Sequence, residues 1–156
     1  MVLFTGTTWR EFRDPGARIT GFSHRMRATV AGIACGDIML CYLIGVMRWV
    51  GALEVVGPSR DKSKLWSRGD FPARLEVKPL IVLDPETGVP MESLQGKVQF
   101  YKTESDKGKF KGFVRGSPHH FKRPEDGQLI LELLRQAQAS PVSRPVDPRK
   151  PAQLPQ

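Results

Sequence analysis

Cysteine is nearly missing from this chain of 156 residues: Cys35 and Cys41 are the only two. One disulfide between them is open but unneeded for stability, and two reduced, half-buried thiols are expected. No stretch approaches the roughly 18 consecutive apolar residues that a membrane-spanning helix needs. The opening MVLFTGTTWREF passes from a short apolar run straight into polar residues, which is not the pattern of a signal peptide. A soluble, cytoplasmic protein with no membrane partner is the expectation. Acid residues are also short, 16 Asp and Glu against 24 Lys and Arg, for a formal charge of +8.

Catalytic signatures are missing too. There is no Gly-rich phosphate loop, nucleophile elbow, zinc-binding helix motif or CxxC pair. His24, His119 and His120 are the only histidines, and none stands at metal-ligand spacing from either cysteine. Glu125 and Asp126 fall at the start of a helix, where the macrodipole accounts for acids. The expectation is a protein that is not an enzyme and uses neither metal nor cofactor.

What remains is enough for one domain with its own core. A strong positive balance concentrates polyanions, so nucleic acid, DNA or RNA, is the natural partner class. The chain turns on residues 21–57, which read as a helix, a Gly-Asp turn and two strands. Ahead of them, VLFT is a short strand, and Thr8 with Glu11 fits a capping box over one helical turn that ends at Asp14-Pro15-Gly16. Ser23 is placed to cap a helix over residues 24–34, with Met26, Val30 and Ile33 on one face and Gly36 as its stop. IMLCYLIG and RWVGALEVVG then read as an antiparallel pair.

Residues 58–71 form a basic loop interrupted by Leu65 and Trp66, a flap expected to pack back on the sheet. ARLEVK alternates as a half-solvated strand, and Pro79 marks an edge or bend after it. PMESL reads as a helical turn, KVQFYK and KFKGFVRG as two short strands, and PEDGQLILELLRQAQ as a closing helix with Leu129, Ile130, Leu133 and Leu134 on one stripe. Five of the thirteen prolines fall after residue 139, so residues 138–156 read as a disordered basic tail on a domain spanning 1–137. Short strands with helices between them and no βα repeat point to an α+β, barrel-like domain.

Aromatic residues Phe4, Trp9, Phe22, Tyr42 and Trp49 lie near Arg10, Arg25, Arg27 and Arg48 at strand ends. Base stacking and phosphate neutralisation require that pairing of residue types, while core packing would use Tyr42 and Trp49 equally well.

An aromatic first strand, Gly21-Phe22 at the helix start, the Gly36-Asp37 turn, Tyr42, Gly51 and the run Phe71-Pro72, Arg74, Lys78-Pro79 together resemble the EVE domain of the PUA-like superfamily over residues 2–135. The resemblance implies a small mixed β-barrel with short helices at its rim, a C-terminal helix and a pocket for one nucleobase, modified in many kin, which would be flipped into an aromatic cage. One position departs: Thr20 stands where the family commonly has Trp, so Phe22 or Trp9 would supply that wall. On this reading Thr5 and Trp9 line the first-strand side, and Phe22, Ser23 and His24 line the helix start. Tyr42 and Trp49 are aromatic candidates, and Arg25, Arg27, Arg48 and Arg115 with Ser117 meet phosphates. Two other classes stay open: a nucleotide-acting enzyme using His24, and a protein-interaction module.

Overall fold

The computed structural model describes residues 1–106, 112 and 116–146. One curled sheet runs in the order β1 (Val2–Phe4), β3 (Ile38–Leu43), β4 (Arg48–Pro58), β5 (Ala73–Val82), β2 (Ile19–Phe22), with β6 (Val89–Pro90) paired to the start of β4. Among the described strands only the β1–β3 pair is parallel. Among the described residues, α-helices α1 (Gly6–Arg13), α2 (Arg27–Ala31) and α3 (Pro124–Ala139) accompany it. The architecture is mixed α+β and barrel-like, as the pattern of short strands predicts.

Both faces of the sheet are buried, which is why IMLCYL reads as an unbroken apolar run instead of an alternating one. Met39, Cys41 and Leu43 enter an inner core with Phe4, Trp9, Phe12, Phe22 and Trp66. Leu40 and Tyr42 point the other way, into a second core that α3 closes with Ile130 and Leu134. On β4, Trp49 and Ala52 belong to the outer core, whereas Val50, Leu53 and Val55 belong to the inner one. That order breaks strict alternation. A register shift opposite Cys41/Tyr42 absorbs one extra residue at Val50-Gly51 and restores the phase. Gly51 is required there for a second reason: a Cβ would lie 2.7 Å from the Trp9 ring. Trp9 is thus locked across the sheet, and its indole nitrogen donates to the Leu83 carbonyl at 3.0 Å.

Several local expectations change. Thr5, not Thr8, caps α1: the Thr5 hydroxyl accepts from Thr8 N at 3.0 Å, and Thr5 N donates to the Thr8 hydroxyl at 2.9 Å. Glu11 is left to hold a loop instead. The helix expected over 24–34 divides into a 3-10 turn, His24–Met26, and the five-residue α2, and Ser23 makes no capping bond. The turn at Asp37 competes for the chain there, since its carboxylate accepts Ala34 N at 2.8 Å and Gly36 N bonds to Val55 O. Gly36 does take the positive φ expected of a stop, +91°. Residues 97–102 are not a strand, because Val98 and Tyr101 pair with each other across a tight turn. KFKGFVRG lies almost wholly outside the described residues. Pro79 sits beyond the last pairing of β5 with β2, at Glu76, so its missing N–H costs no bond on that side.

The closing helix has the expected face and runs to Ala139, past the expected boundary at 137. Residues 141–146 then lie back on the domain. Arg144 N donates to Glu86 O at 2.8 Å, and the Arg48 guanidinium donates to the carbonyls of Pro85, Arg144 and Pro145. The remainder of the tail lies outside the described residues.

Cys35 is exposed and Cys41 fully buried, both as free thiols. Burial pushes the Cys41 thiol far above its usual range. A thiol reagent should titrate one group in the folded protein and two in denaturant; two in the folded state would contradict the packing of β3. Gly51→Ala should lower stability by about 1–3 kcal/mol through the clash with Trp9, read as a drop in the urea midpoint with unchanged slope.

Candidate functional site

A sheet that curls without closing leaves its two end strands facing each other. The outer edge of β1 is partly occupied: Leu3 N donates to the Ser117 hydroxyl at 3.1 Å, and the Met1 nitrogen donates to His119 O at 2.9 Å. Among the described residues, strand β2 is paired only on its β5 side. Between these ends lies a cavity of about 260 Å³. Leu3, Phe4 and Thr5 form one side with Thr8, Ile44 and Ser117, and Gly21, Phe22 and Ser23 form the other. Trp66, Arg68, Gly69 and Phe71 of the 59–72 loop complete it.

The loop is part of the wall because three contacts bind it down. Trp66 is buried, edge-on to Phe71 at 4.6 Å and to Phe4 at 5.8 Å between ring centroids. The Glu11 carboxylate accepts both the Ser67 amide and its hydroxyl, each at 2.5 Å. Arg74, buried on β5, ties the two ends together: Nε donates to Phe71 O at 2.9 Å and a terminal nitrogen to Asp61 O at 3.0 Å and Oδ1 at 3.2 Å. The Asp61 carboxyl is held below its ordinary range, chiefly by the bonds from Ser63 and also by Arg74. Gly21 lets the loop close on β2, since a Cβ there would meet Leu65 and Phe71 at 2.8 Å.

The lining is four aromatic rings, a set of hydroxyls and one cation. Among the described residues no Asp, Glu, His or Cys side chain lines it. Thr5 and Thr8 hydroxyls bond each other at 3.2 Å, and Ser117 already receives Leu3 N, but each retains acceptor capacity. Such a chamber can hold a flat, uncharged ring between apolar walls and meet polar atoms at its rim.

Of the residues singled out from sequence, Thr5, Phe22, Ser23 and Ser117 line the cavity together. Trp9 lies one layer deeper, with the Phe4 ring edge-on to it at 5.2 Å, so it supports the wall and does not form it. Tyr42 and Trp49 sit in the outer core, 5.0 Å apart, away from the cavity. Arg48 is committed to three backbone carbonyls. His24, Arg25 and Arg27 are exposed at the 3-10 turn and the start of α2 and do not line the cavity. Arg115 lies outside the described residues. Thr20 is fully buried with its hydroxyl unpartnered and does not line the cavity, whereas Trp66 and Phe71 do.

Neither a protein-family model nor any curated protein matches this chain. Among the described residues no three His, Cys, Asp or Glu side chains group as a metal site, and no helix is long and apolar enough to cross a membrane.

Arg74→Met should free the 59–72 loop while leaving the sheet intact, at a cost of about 1–3 kcal/mol for the lost charged hydrogen bonds. Trypsin should then cut first at Arg60, Lys62, Lys64 or Arg68, with far-UV circular dichroism unchanged; equal resistance to cleavage would remove Arg74 as the loop's fastening.

Proposed function

We propose that the chain is a PUA-like domain of the EVE type that holds one base of a nucleic acid, without chemistry, in the cavity between β1 and β2. The observation that carries this reading is the cavity's lining: Phe4, Phe22, Trp66 and Phe71 around a space of about 260 Å³, with hydroxyls at Thr5, Ser23 and Ser117 and no ionisable group but Arg68. That volume lies below the roughly 300–1,000 Å³ of drug-sized ligand sites. It suits a single ring system. A base reaches such a recess only when taken out of its stack, and aromatic walls repay that unstacking.

Several features of the fold support the same reading: the curled sheet accompanied by short helices, strand β2 ending at Gly21-Phe22 just before the 3-10 turn, the turn at Gly36-Asp37, and the net positive charge. Methylation adds apolar surface to a base, so an aromatic chamber of this kind would favour a modified base over its parent. Stacking contributes about 1–3 kcal/mol per base, against about 8 kcal/mol for a micromolar complex. Most of the affinity for a strand must therefore come from phosphates.

The test is calorimetric titration with nucleosides, methylated and unmethylated, and with single strands of DNA and RNA. Saturable binding should weaken about 5- to 150-fold in Trp66→Ala, the worth of one stacked base. Binding by neither class of ligand, or an affinity indifferent to both Trp66→Ala and Phe22→Ala, would refute the base-holding role.

A further inference from the structure

We propose that Arg68 is the phosphate contact of the cavity, so that the unit held is a nucleotide with its base in the aromatic chamber and its own phosphate at the rim. This rests on the base-holding reading above and names where the first phosphate of a strand lies. Placement is the first argument. Among the described residues Arg68 is the one charged side chain of the lining. Trp66, two residues before it, and Phe71, three residues after it, are walls of the same cavity. Two residues span at most about 7 Å of chain, so the cation and the Trp66 ring are carried close together. A nucleotide has the same layout, a flat ring one sugar away from a phosphate.

The second argument is that the loop fixes the backbone on both sides of Arg68 and leaves its side chain unspent. Before it, Ser67 is fastened to the Glu11 carboxylate by its amide and its hydroxyl. After it, Gly69 turns the chain at a φ of +75°, and a Cβ there would lie 2.8 Å from the Phe71 ring, so a side chain at this turn would displace that wall. Arg68 itself is exposed, and among the described residues it forms no ion pair and no hydrogen bond. The acids around it leave it free. Asp70 does not pair with it, Glu11 is taken by Ser67, and Asp61 is taken by Ser63 and Arg74. A guanidinium offers a planar fork of donors that matches phosphate oxygens, and an anchored stem loses less freedom on binding. The hydroxyls of Thr5, Ser23 and Ser117 can meet a sugar or a base edge, but they carry no charge to neutralise a phosphate.

The experiment titrates wild type, Arg68→Gln and Trp66→Ala with nucleosides, with the matching 5′- and 3′-monophosphates, and with single strands of DNA and RNA between about 50 and 200 mM salt. Arg68→Gln removes no contact made within the fold, so it compares directly with wild type. At the lowest salt at least one of the two monophosphates should bind wild type about tenfold more tightly than its nucleoside, the effect of charge-assisted hydrogen bonds. In Arg68→Gln the two affinities should become equal. With strands, the slope of log affinity against log salt should flatten by about 0.7 in that variant, the worth of one single-strand phosphate. Monophosphates that bind wild type no tighter than nucleosides would overturn the proposal, as would a preference for them that survives Arg68→Gln. A variant that weakens nucleosides and monophosphates alike would also overturn it, because Arg68 would then meet the base edge. Each of these three results leaves the base-holding cavity standing. Monophosphate binding that depends on Arg68 but ignores Trp66→Ala would overturn the base-holding reading and the proposal with it, and Arg68 would then be an anion site only.

Discussion

Strand β4 has to serve two cores at once, and the placement of nearly every large side chain depends on how it does so. Its neighbours β3 and β5 send residues to both faces, so a slip of one position would move Val50 and Leu53 to the outer core and Trp49 to the inner one. The extra residue at Val50-Gly51 sets the phase. The same glycine leaves space for Trp9, whose indole bridges to Leu83 at the far side of the sheet. Because Trp9 is fixed, Phe4 and Phe12 are fixed against it at 5.2 and 5.7 Å, and Phe4 becomes a rigid floor for the cavity. A bulge in one strand is thus connected through two rings to the shape of the site.

The cavity itself exists because the sheet curls without closing. Unpaired strand edges are a liability for pairing with other chains. Here one edge is covered by residues 117–119, and the space before the other is roofed by the 59–72 loop. What holds that roof is polar: Arg74 at its ends and Glu11 at its middle, with Trp66 as the apolar anchor. Burying a guanidinium is costly unless its donors are met. Backbone carbonyls of Phe71 and Asp61 meet them, which makes the loop a defined wall.

The expected class, mixed α+β with a barrel-like sheet, was legible because strand-type runs, turn residues and one amphipathic C-terminal helix all agree. The cavity's lining was legible in part. Thr5, Phe22 and Ser23 lie beside recognisable element ends, and Trp66 stood out as an apolar residue in a charged loop. Trp9, Tyr42 and Trp49 could not be assigned from pattern, since an aromatic ring near an arginine serves a core and a stacking site equally well. Arg48 could not be read as bound, because its partners are carbonyls of residues 85, 144 and 145, far away along the chain.

Sequence alone determined the local parts: the basic charge, the pairing of short strands and the glycines at 36 and 51. Those are local properties, set by periodicity, backbone freedom and side-chain chemistry. Only the tertiary structure decided which aromatic rings face an opening and which face a core, because that depends on the bulge in β4, on the curl that brings β1 opposite β2, and on a loop fastened from β5. Each of these joins residues that no spacing in the chain relates.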